Sequence, residues 1–223
     1  MARILFTAST YSHLSNFHRP YMAAFQALGW EVDAACGGTP MPLPEAGQVI
    51  HIPFEKQMTS LKNGAATLAL RRLIREGDYT LISCHTALAA FFTRMAVRGM
   101  AHRPKVACTA HGYLFNGLGG GRERLLRGAE ALTAPVTDLL MTMNGWDTAY
   151  AKAHHLGSRV EEIPGMGLNC QPLSPEQLRA GAALRRQVGE DRFLLVYAAE
   201  FSQRKDQSTL LRALARLPEQ VCL

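Results

Sequence analysis

Histidine, hydroxyl and amide side chains follow three short apolar runs of the chain. The first run leads into residues 10–18, and this segment holds Thr10, Ser12, His13, Asn16 and His18. The second run ends at His85, and the third leads into His111 and Gly112. Imidazoles exchange protons near neutral pH, and hydroxyls and amides hydrogen-bond polar ligands. The three segments therefore indicate a site for a polar ligand.

Each of these segments also has a purely structural interpretation. Residues 10–18 are equally consistent with a capped turn that leads into a helix. A single histidine at a strand end is more often a hydrogen-bonded structural residue than a catalytic one. Because His111 and Gly112 open a long glycine-rich loop, His111 ranks above His85 as a chemical group.

Two further loops could meet an anion. Arg204 and Lys205 follow Glu200 and precede a predicted helix, where basic side chains could neutralise a diphosphate. A solvated basic turn is the alternative. The glycine-rich residues 116–121 would present amides to a phosphate or carbohydrate, or would act as a lid. No dinucleotide fingerprint follows the first strand, and no Gly-Lys-Ser/Thr phosphate loop occurs.

Motifs that hold metals or cofactors are missing from the sequence. There is no Asp-x-Asp pair and no His-Glu-x-x-His helix, and the adjacent His154 and His155 would point to different faces of a helix. The five cysteines are widely spaced and form no Cys-x-x-Cys pair, which argues against disulfides and zinc knuckles. We therefore expect neither a metal nor a cofactor, and we expect buried cysteines.

Apolar strand-like runs alternate with helical patterns along the chain, as in a parallel sheet with crossover helices. The predicted strands cover residues 3–9, 31–35, 49–52, 79–84, 105–109, 138–143, 159–163 and 193–199. The predicted helices cover residues 20–28, 61–76, 87–99, 122–133, 145–155 and 174–188, followed by one that carries Leu210, Leu211, Leu214 and Leu217 on one face. These elements predict an α/β fold, with a Rossmann-like doubly wound domain over residues 1–168. Residues 169–223 would form a hinge and the start of a second, incomplete Rossmann-like domain.

Composition narrows the class of protein. The net charge of +6 and the pI near 9.3 fit anionic partners, which include nucleotide phosphates, nucleic acid and acidic membrane surfaces. No uncharged stretch reaches the roughly 18 apolar residues of a spanning helix, and the N-terminus becomes polar too early for a secretory signal. We therefore expect a cytoplasmic protein.

In their order and spacing, several segments together resemble glycosyltransferase family 4, the retaining GT-B enzymes, and especially the branch that builds bacterial capsules and exopolysaccharides. The matching segments are residues 4–13, 16–18, 50–55, 83–86, 109–113 and 163–167. The resemblance implies a donor that is a nucleotide-diphosphate sugar and an acceptor that is a lipid-linked glycan, with no role for nucleic acid. It places the acceptor on the N-terminal domain and the donor on the C-terminal domain, with the reaction in the cleft between them.

The resemblance also implies roles for single residues. His111 and Lys205 would be catalytic, and the donor would be bound by Gly112, Glu200, Arg204 and Lys205. The acceptor would be bound by Thr10, Ser12, His13, Asn16, His18 and His85. Since such enzymes are usually described as using the leaving phosphate as the base, Lys205 would matter more than any base of the protein.

Two features depart from the family pattern. Glu200 stands where many members have arginine, as it does in the exopolysaccharide branch. The Glu-x7-Glu motif that grips the donor sugar and ribose would lie beyond Leu223. We therefore expect this chain to end early in the second domain, to lack a complete donor site and to be inactive as it stands.

Two other functions stay open. A nucleotide-sugar 2-epimerase shares the architecture but needs acid and base carboxylates, of which the sequence offers no convincing set. A remnant that binds a glycan or a partner protein without turnover is the second alternative. Peripheral contact with an anionic membrane would follow from a lipid-linked acceptor, and it would use some of Arg94, Arg98, Arg103, Lys105, Arg122, Arg124 and Arg127.

Overall fold

The computed structural model of the chain describes residues 1–55, 57–115, 119–167, 171–203 and 205–223. It divides into two units, Met1–Leu168 and Asn169–Leu223. No helix in the described part of the chain combines the length and the apolar character that a bilayer crossing needs. The first unit contains a seven-stranded sheet, and the second contains a two-stranded sheet.

Seven parallel strands form the sheet of the first unit. They are β1 (Arg3–Ala8), β2 (Glu31–Cys36), β3 (Gln48–His51), β4 (Leu81–His85), β5 (Lys105–Ala110), β6 (Leu139–Thr142) and β7 (Arg159–Glu162). Their order in space is β3-β2-β1-β4-β5-β6-β7. The chain builds outward from β1 and then returns to its other side at β4, so the order reverses between these two strands. The predicted α/β class with a Rossmann-like parallel sheet is confirmed.

The central strands are apolar along their length because helices cover both faces of this part of the sheet. On one face Leu5 and Ile82 pack into a core with the third, fourth and sixth helices. On the other face Ile4 and Phe6 pack with residues of the first two helices. Each fully buried side chain of this kind contributes about 1.5–3 kcal/mol relative to exposure. This burial fixes the register of β1 and β4, and with it the position of the loops that follow them.

The helices of the first unit are α1 (Tyr11–Phe17), α2 (Arg19–Ala27), α3 (Lys62–Glu76), α4 (Ala87–Val97), α5 (Gly121–Thr133) and α6 (Gly145–Ala153), with a 3₁₀ turn at Ala134–Val136. Five of them agree with the predicted helices to within two residues. The first does not: residues 10–18 were expected as a loop and form α1. Thr10 caps this helix by accepting a hydrogen bond from the His13 amide, and Tyr11 and Leu14 are buried against the sheet. The burial of these two side chains stabilises a helix in a segment whose polar composition suggests a loop.

Arg94 corrects another expectation. It was placed among the basic residues that could meet a membrane, but only 1% of its side chain is exposed. Its guanidinium makes two hydrogen bonds to the Glu130 carboxylate, at 3.0 and 3.1 Å, and a third to the Ala90 carbonyl. Arg94 therefore joins α4 to α5 inside the protein and is unavailable to lipid.

The second unit contains α7 (Pro175–Val188), β8 (Phe193–Leu194), α8 (Gln207–Leu214) and β9 (Val221–Cys222). The expected start of α7 is present, with a capping box between Ser174 and Gln177. The expected buried strand over residues 193–199 is wrong, because pairing is limited to two residues of β8 and Val196 is 81% exposed. Leu217 also lies outside α8. With one partner strand, the described side chains of this unit are at least partly exposed, and none of them is buried.

Candidate functional site

The carboxyl ends of β1, β4 and β5 carry the most concentrated chemistry in the first unit. In an open parallel sheet ligands bind at this edge, at the point where the strand order reverses. His13 lies on α1 just beyond β1, and His18 follows the end of that helix. His85 is the last residue of β4, and His111 comes directly after β5. Three separate crossover connections thus bring four imidazoles to one place.

The four rings are in close mutual contact. The Nε2 atoms of His13 and His18 are 3.2 Å apart. The ring centroids of His18 and His85 are separated by 3.7 Å, and those of His13 and His111 by 4.8 Å with nearly perpendicular planes. One nitrogen from each of the four rings lies within 4.8 Å of one from every other. We call this group the histidine cluster.

Burial sets the charge of the histidine cluster. Burial, together with a smaller effect of the neighbouring imidazoles, lowers the pKa of His13 to about 4 and that of His18 to about 3. Burial also holds the pKa of His85 well below its usual range, again with help from the other rings, and lowers that of the more exposed His111. Desolvation disfavours the charged form of a base. The cluster is therefore neutral at physiological pH and can both donate and accept hydrogen bonds.

The hydroxyl groups of Ser9 and Thr86 connect two strand ends beside the histidine cluster. The Ser9 amide donates to Thr86 Oγ1 at 3.0 Å, and the two hydroxyls are 2.7 Å apart. Thr86 has a φ of 63°, an unusual value for a β-branched residue. Such a conformation persists where the surroundings determine it, often beside a functional site. Ser9 and Thr86 thus tie the end of β1 to the end of β4, beside His85.

Cavities adjoin the cluster on two sides. One, of about 280 Å³, is lined by His111 and Gly112 and also by Thr86, Arg94 and Glu130. The other, of about 520 Å³, is lined by His18 and His85 above a mainly apolar floor that includes Phe6, Phe25 and Met141. Gly112 has a φ of 115°, which favours glycine, and a Cβ there would meet no atom within 4 Å. The edge therefore offers space for a ligand as well as polar groups to bind it.

Not every residue of the predicted acceptor site belongs to the cluster. Thr10 uses its hydroxyl to cap α1, and that oxygen also lies 3.1 Å from the hydroxyl of Ser12. Ser12 and Asn16 are exposed on α1, within one turn of His13. The structure thus separates the proposed acceptor residues into a buried imidazole group and an exposed polar face.

The predicted catalytic and donor-binding residues divide between the two units. His111 and Gly112 belong to the first unit, whereas Glu200 and Lys205 belong to the second. Tyr197 donates its hydroxyl hydrogen to the Lys205 carbonyl at 2.8 Å, and the Gln207 side-chain amide donates to the Glu200 carbonyl. Arg204 lies outside the described residues. Backbone contacts thus shape this loop and leave the Lys205 ammonium unused by them.

The glycine-rich loop shows a different use of its amides. Residues 116–118 lie outside the described part of the chain. The Gly119 amide donates to the Glu123 carboxylate at 2.8 Å, and Arg127 pairs with the same carboxylate. Glu123 therefore takes the place that a bound anion would have at the start of α5.

All four histidines were candidate site residues from the sequence, but the sequence did not predict that they lie close together. No contiguous motif links them, because they are spread over three crossover units from residue 13 to residue 111. The expectation that no metal is bound rests on contiguous motifs, and such motifs do not detect four histidines from separate loops. Ser83 is a further residue of the site that the motifs do not indicate, and its hydroxyl lies 2.9 Å from His85 Nε2. Its place two residues before His85, on the same face of a strand, was the available signal.

Comparison with known proteins identifies what this chain is similar to. The model of the family described as Glycosyltransferase Family 4 matches residues 21–165. That range includes His85 and His111, whereas His13 and His18 precede it. EpsD of Bacillus subtilis, a candidate glycosyltransferase, is 35% identical over 228 residues. The match covers 98% of this chain and 58% of EpsD, so the chain spans little more than half the length of that relative.

Solved structures share the fold at low sequence identity. Sucrose-phosphate synthase from Thermosynechococcus elongatus matches with a TM-score of 0.71 and 17% identity, over 98% of this chain and 60% of its own. Anabaena HepE, solved with UDP and glucose, matches with a TM-score of 0.63 and 19% identity, over 99% and 59%. A UDP-N-acetylglucosamine 2-epimerase matches with a TM-score of 0.56 and 16% identity, over 99% and 62%. At these identities the likeness shows the fold and leaves the reaction open.

Proposed function

The chain belongs to glycosyltransferase family 4, and from this membership we propose that it serves the transfer of a sugar from a nucleotide-diphosphate sugar to a lipid-linked glycan. The proposed setting is capsule or exopolysaccharide synthesis on the cytoplasmic face of the membrane. The single observation that carries the proposal is the histidine cluster, which lies at the edge of the sheet where a doubly wound fold binds ligands.

The acceptor side of the proposal uses the first unit. A glycan hydroxyl is a hydrogen-bond donor and acceptor, and neutral imidazoles match it in both roles. His18 and His85 form the buried part of this surface, His13 is half-buried, and Ser12 and Asn16 extend the surface to solvent. His111 is the exposed member of the cluster, so it is the imidazole best placed to reach a sugar that reacts at this edge.

The donor side of the proposal uses Gly112, Glu200, Arg204 and Lys205. The Lys205 ammonium would stabilise the diphosphate, because a cation beside developing phosphate charge lowers the barrier to its departure. Anabaena HepE, which has the same fold, holds UDP and glucose. That precedent supports a nucleoside diphosphate as the leaving group here.

We propose that the reaction retains the anomeric configuration. The bond from the anomeric carbon to the diphosphate oxygen breaks, and the acceptor oxygen bonds to the same face of that carbon. The acceptor proton passes to the leaving phosphate, so no side chain has to act as the base. Positioning and charge stabilisation then supply most of the rate, which is the contribution proposed for His111 and Lys205.

Contact with an anionic membrane is part of the same proposal. Arg122 and Arg124 are exposed near the start of α5, and Leu125 beside them is 55% exposed. Basic side chains near an anionic surface contribute about 1 kcal/mol each, and an apolar neighbour adds to this. Arg103 and Lys105 contribute less to this surface, because both pair with Asp138.

The test uses the protein expressed from its complete reading frame. It is incubated with radiolabelled UDP-, GDP- and TDP-sugars and a lipid extract that contains glycan acceptors. The proposal expects label in the lipid fraction from one donor class, with the donor configuration kept in the product. An epimerised nucleotide sugar without transfer would indicate the epimerase instead, and acceptor binding without turnover would indicate a binding protein. Either result would overturn the proposal.

A further inference from the structure

The nitrogens of the histidine cluster lie close enough together to bind one metal ion, which sugar binding does not require. Each of its four rings presents one nitrogen within 4.8 Å of a nitrogen of every other ring. Four imidazoles whose nitrogens converge in this way are more than hydrogen bonding to one hydroxyl needs. From this convergence we infer that His13, His18, His85 and His111 form a binding site for one divalent transition-metal ion of the Zn²⁺ class.

The spacing of the nitrogens fits such an ion. Zinc binds histidine nitrogen at about 2.0–2.1 Å, so two ligands of a tetrahedral site are about 3.3–3.4 Å apart. The Nε2 atoms of His13 and His18 are already 3.2 Å apart. From the limit of 4.8 Å, the other pairs have to close by at most about 1.5 Å. Rotation of side chains about their χ angles covers this distance, and the exposed His111 has the most freedom to move.

Unused hydrogen-bonding capacity at the cluster points to a missing partner. In the described part of the chain, His18 Nδ1 and His85 Nδ1 are buried and have no hydrogen-bond partner. Buried polar atoms in proteins are nearly always paired, and an exception calls for an unseen water or ion. If His85 Nε2 donates its hydrogen to Ser83 Oγ, which lies 2.9 Å away, Nδ1 keeps a free lone pair for a metal.

Ser83 would then orient a metal ligand. A metal-bound histidine usually donates its other ring hydrogen to a polar neighbour, which fixes the ring and its tautomer. Ser83 is 8% exposed and holds this position beside His85 within β4. It acts through His85 and not on the ion itself, so it is a positioning residue.

The chemistry of the ligands also selects the ion. Burial and the neighbouring imidazoles shift the pKa values of these histidines. No carboxylate contributes to these shifts. Mg²⁺ and Ca²⁺ require oxygen ligands, whereas imidazole suits Zn²⁺, Co²⁺, Ni²⁺ and Cu²⁺. We therefore expect Mg²⁺ and Ca²⁺ to be excluded.

The experiment titrates chelator-treated protein with Co²⁺ and then displaces the Co²⁺ with Zn²⁺, in the absence of any sugar. One equivalent should bind, with the strong visible absorption of a tetrahedral nitrogen site, and Mg²⁺ should leave the spectrum unchanged. His111→Ala, at an exposed position, should weaken binding by at least about 100-fold, and Ser83→Ala by roughly 10- to 100-fold. His102→Ala is the matched control, since His102 is an exposed histidine away from the cluster, and it should bind as the wild type does.

Well under one equivalent of bound Co²⁺ would overturn the inference, as would wild-type affinity in His111→Ala. His13→Asn is a second ligand variant that guards against an effect special to residue 111, and circular dichroism of each variant verifies folding. Because binding is measured on the protein alone, its failure would not bear on the transferase proposal.

Discussion

At the scale of single residues, burial decides what each imidazole can do. His18 and His85 are almost fully buried and uncharged, whereas His111 is exposed beside a cavity. The sequence indicated the chemistry of these residues, because their types are visible in it. It did not indicate their environment, since the desolvation of His85 depends on rings contributed from other crossover units.

Lys205 provides a test of the donor site at this scale. Lys205→Ala removes the cation proposed to stabilise the departing diphosphate, so the rate of transfer should fall by about 100- to 1000-fold. Thermal unfolding should change little, because the ammonium is not used in the loop's backbone contacts. The measurement is the initial rate of labelled-sugar transfer at saturating donor, with the protein expressed from its complete reading frame. Lys62→Ala, which removes an 80% exposed lysine, is the charge-matched control, and equal rates in both variants would exclude the assignment.

Asp138 gives a prediction about pH and stability. Burial alone would raise its pKa, but hydrogen bonds from Arg103, the Val106 amide and Lys105 outweigh burial and lower it to about 2. A carboxyl whose pKa is lower in the folded state stabilises the protein above its unfolded value of about 3.8 and loses that effect as the pH falls toward 2. Asp138→Asn should therefore cost roughly 1–2 kcal/mol at neutral pH, after an allowance for solvent screening.

Urea unfolding of the wild type and of Asp138→Asn measures this difference. The gap in unfolding free energy should stay constant between about pH 5 and 8 and narrow below about pH 4. A gap that is the same at pH 3 as at pH 7 would show that the carboxylate charge is not its source.

At the scale of elements, the strands were easier to predict than the first helix. Strands covered on both faces show long apolar runs, and β1, β4 and β5 were visible for that reason. Helix α1 has seven residues, of which only Tyr11 and Leu14 are buried, so its periodicity covers a single turn and its polar residues suggest a loop. For residues 193–199 the apolar composition predicted a longer buried strand than the structure has. An apolar run indicates burial only where other elements cover it.

Arg94 and Glu130 link α4 to α5, and the pair can be tested directly. Arg94→Met leaves the Glu130 carboxylate without its partner at a largely buried position, so it should cost about 3–5 kcal/mol of unfolding free energy. Adding Glu130→Leu should recover much of this, because two apolar side chains leave no unpaired charge. Urea unfolding of the two single variants and the double variant gives the coupling energy. Strictly additive costs would mean that the two side chains do not interact.

At the scale of the whole molecule, the two units differ in how much they bury. The first has apolar cores on both faces of a seven-stranded sheet, whereas the described residues of the second include none that is buried. The Rossmann-like class was predictable because the alternation of strands and helices is a local signal repeated along the chain. The meeting of four histidines was not, since it depends on where the strand order reverses, and local patterns do not encode strand order.

Hydrogen exchange should separate the two units. Amides of β1, β4 and β5 should exchange only through global unfolding, whereas those of α7 and α8 should open at a cost of less than about 2 kcal/mol, because few apolar contacts protect them. Mass spectrometry of peptic fragments after exchange at neutral pH makes the comparison. Equal protection in both units would show that the second is stabilised by contacts other than its own core.

If sugar transfer takes place at the histidine cluster, His111→Ala should lose most of the activity of the enzyme. The measurement uses the protein expressed from its complete reading frame, and it compares the single-turnover rate of transfer from a labelled nucleotide sugar in the wild type, in His111→Ala and in the surface control His102→Ala. The rate should fall on the order of 100-fold in His111→Ala, with an unchanged melting temperature, and stay within about twofold of the wild type in the control. Wild-type transfer by a folded His111→Ala would mean that the reaction takes place elsewhere.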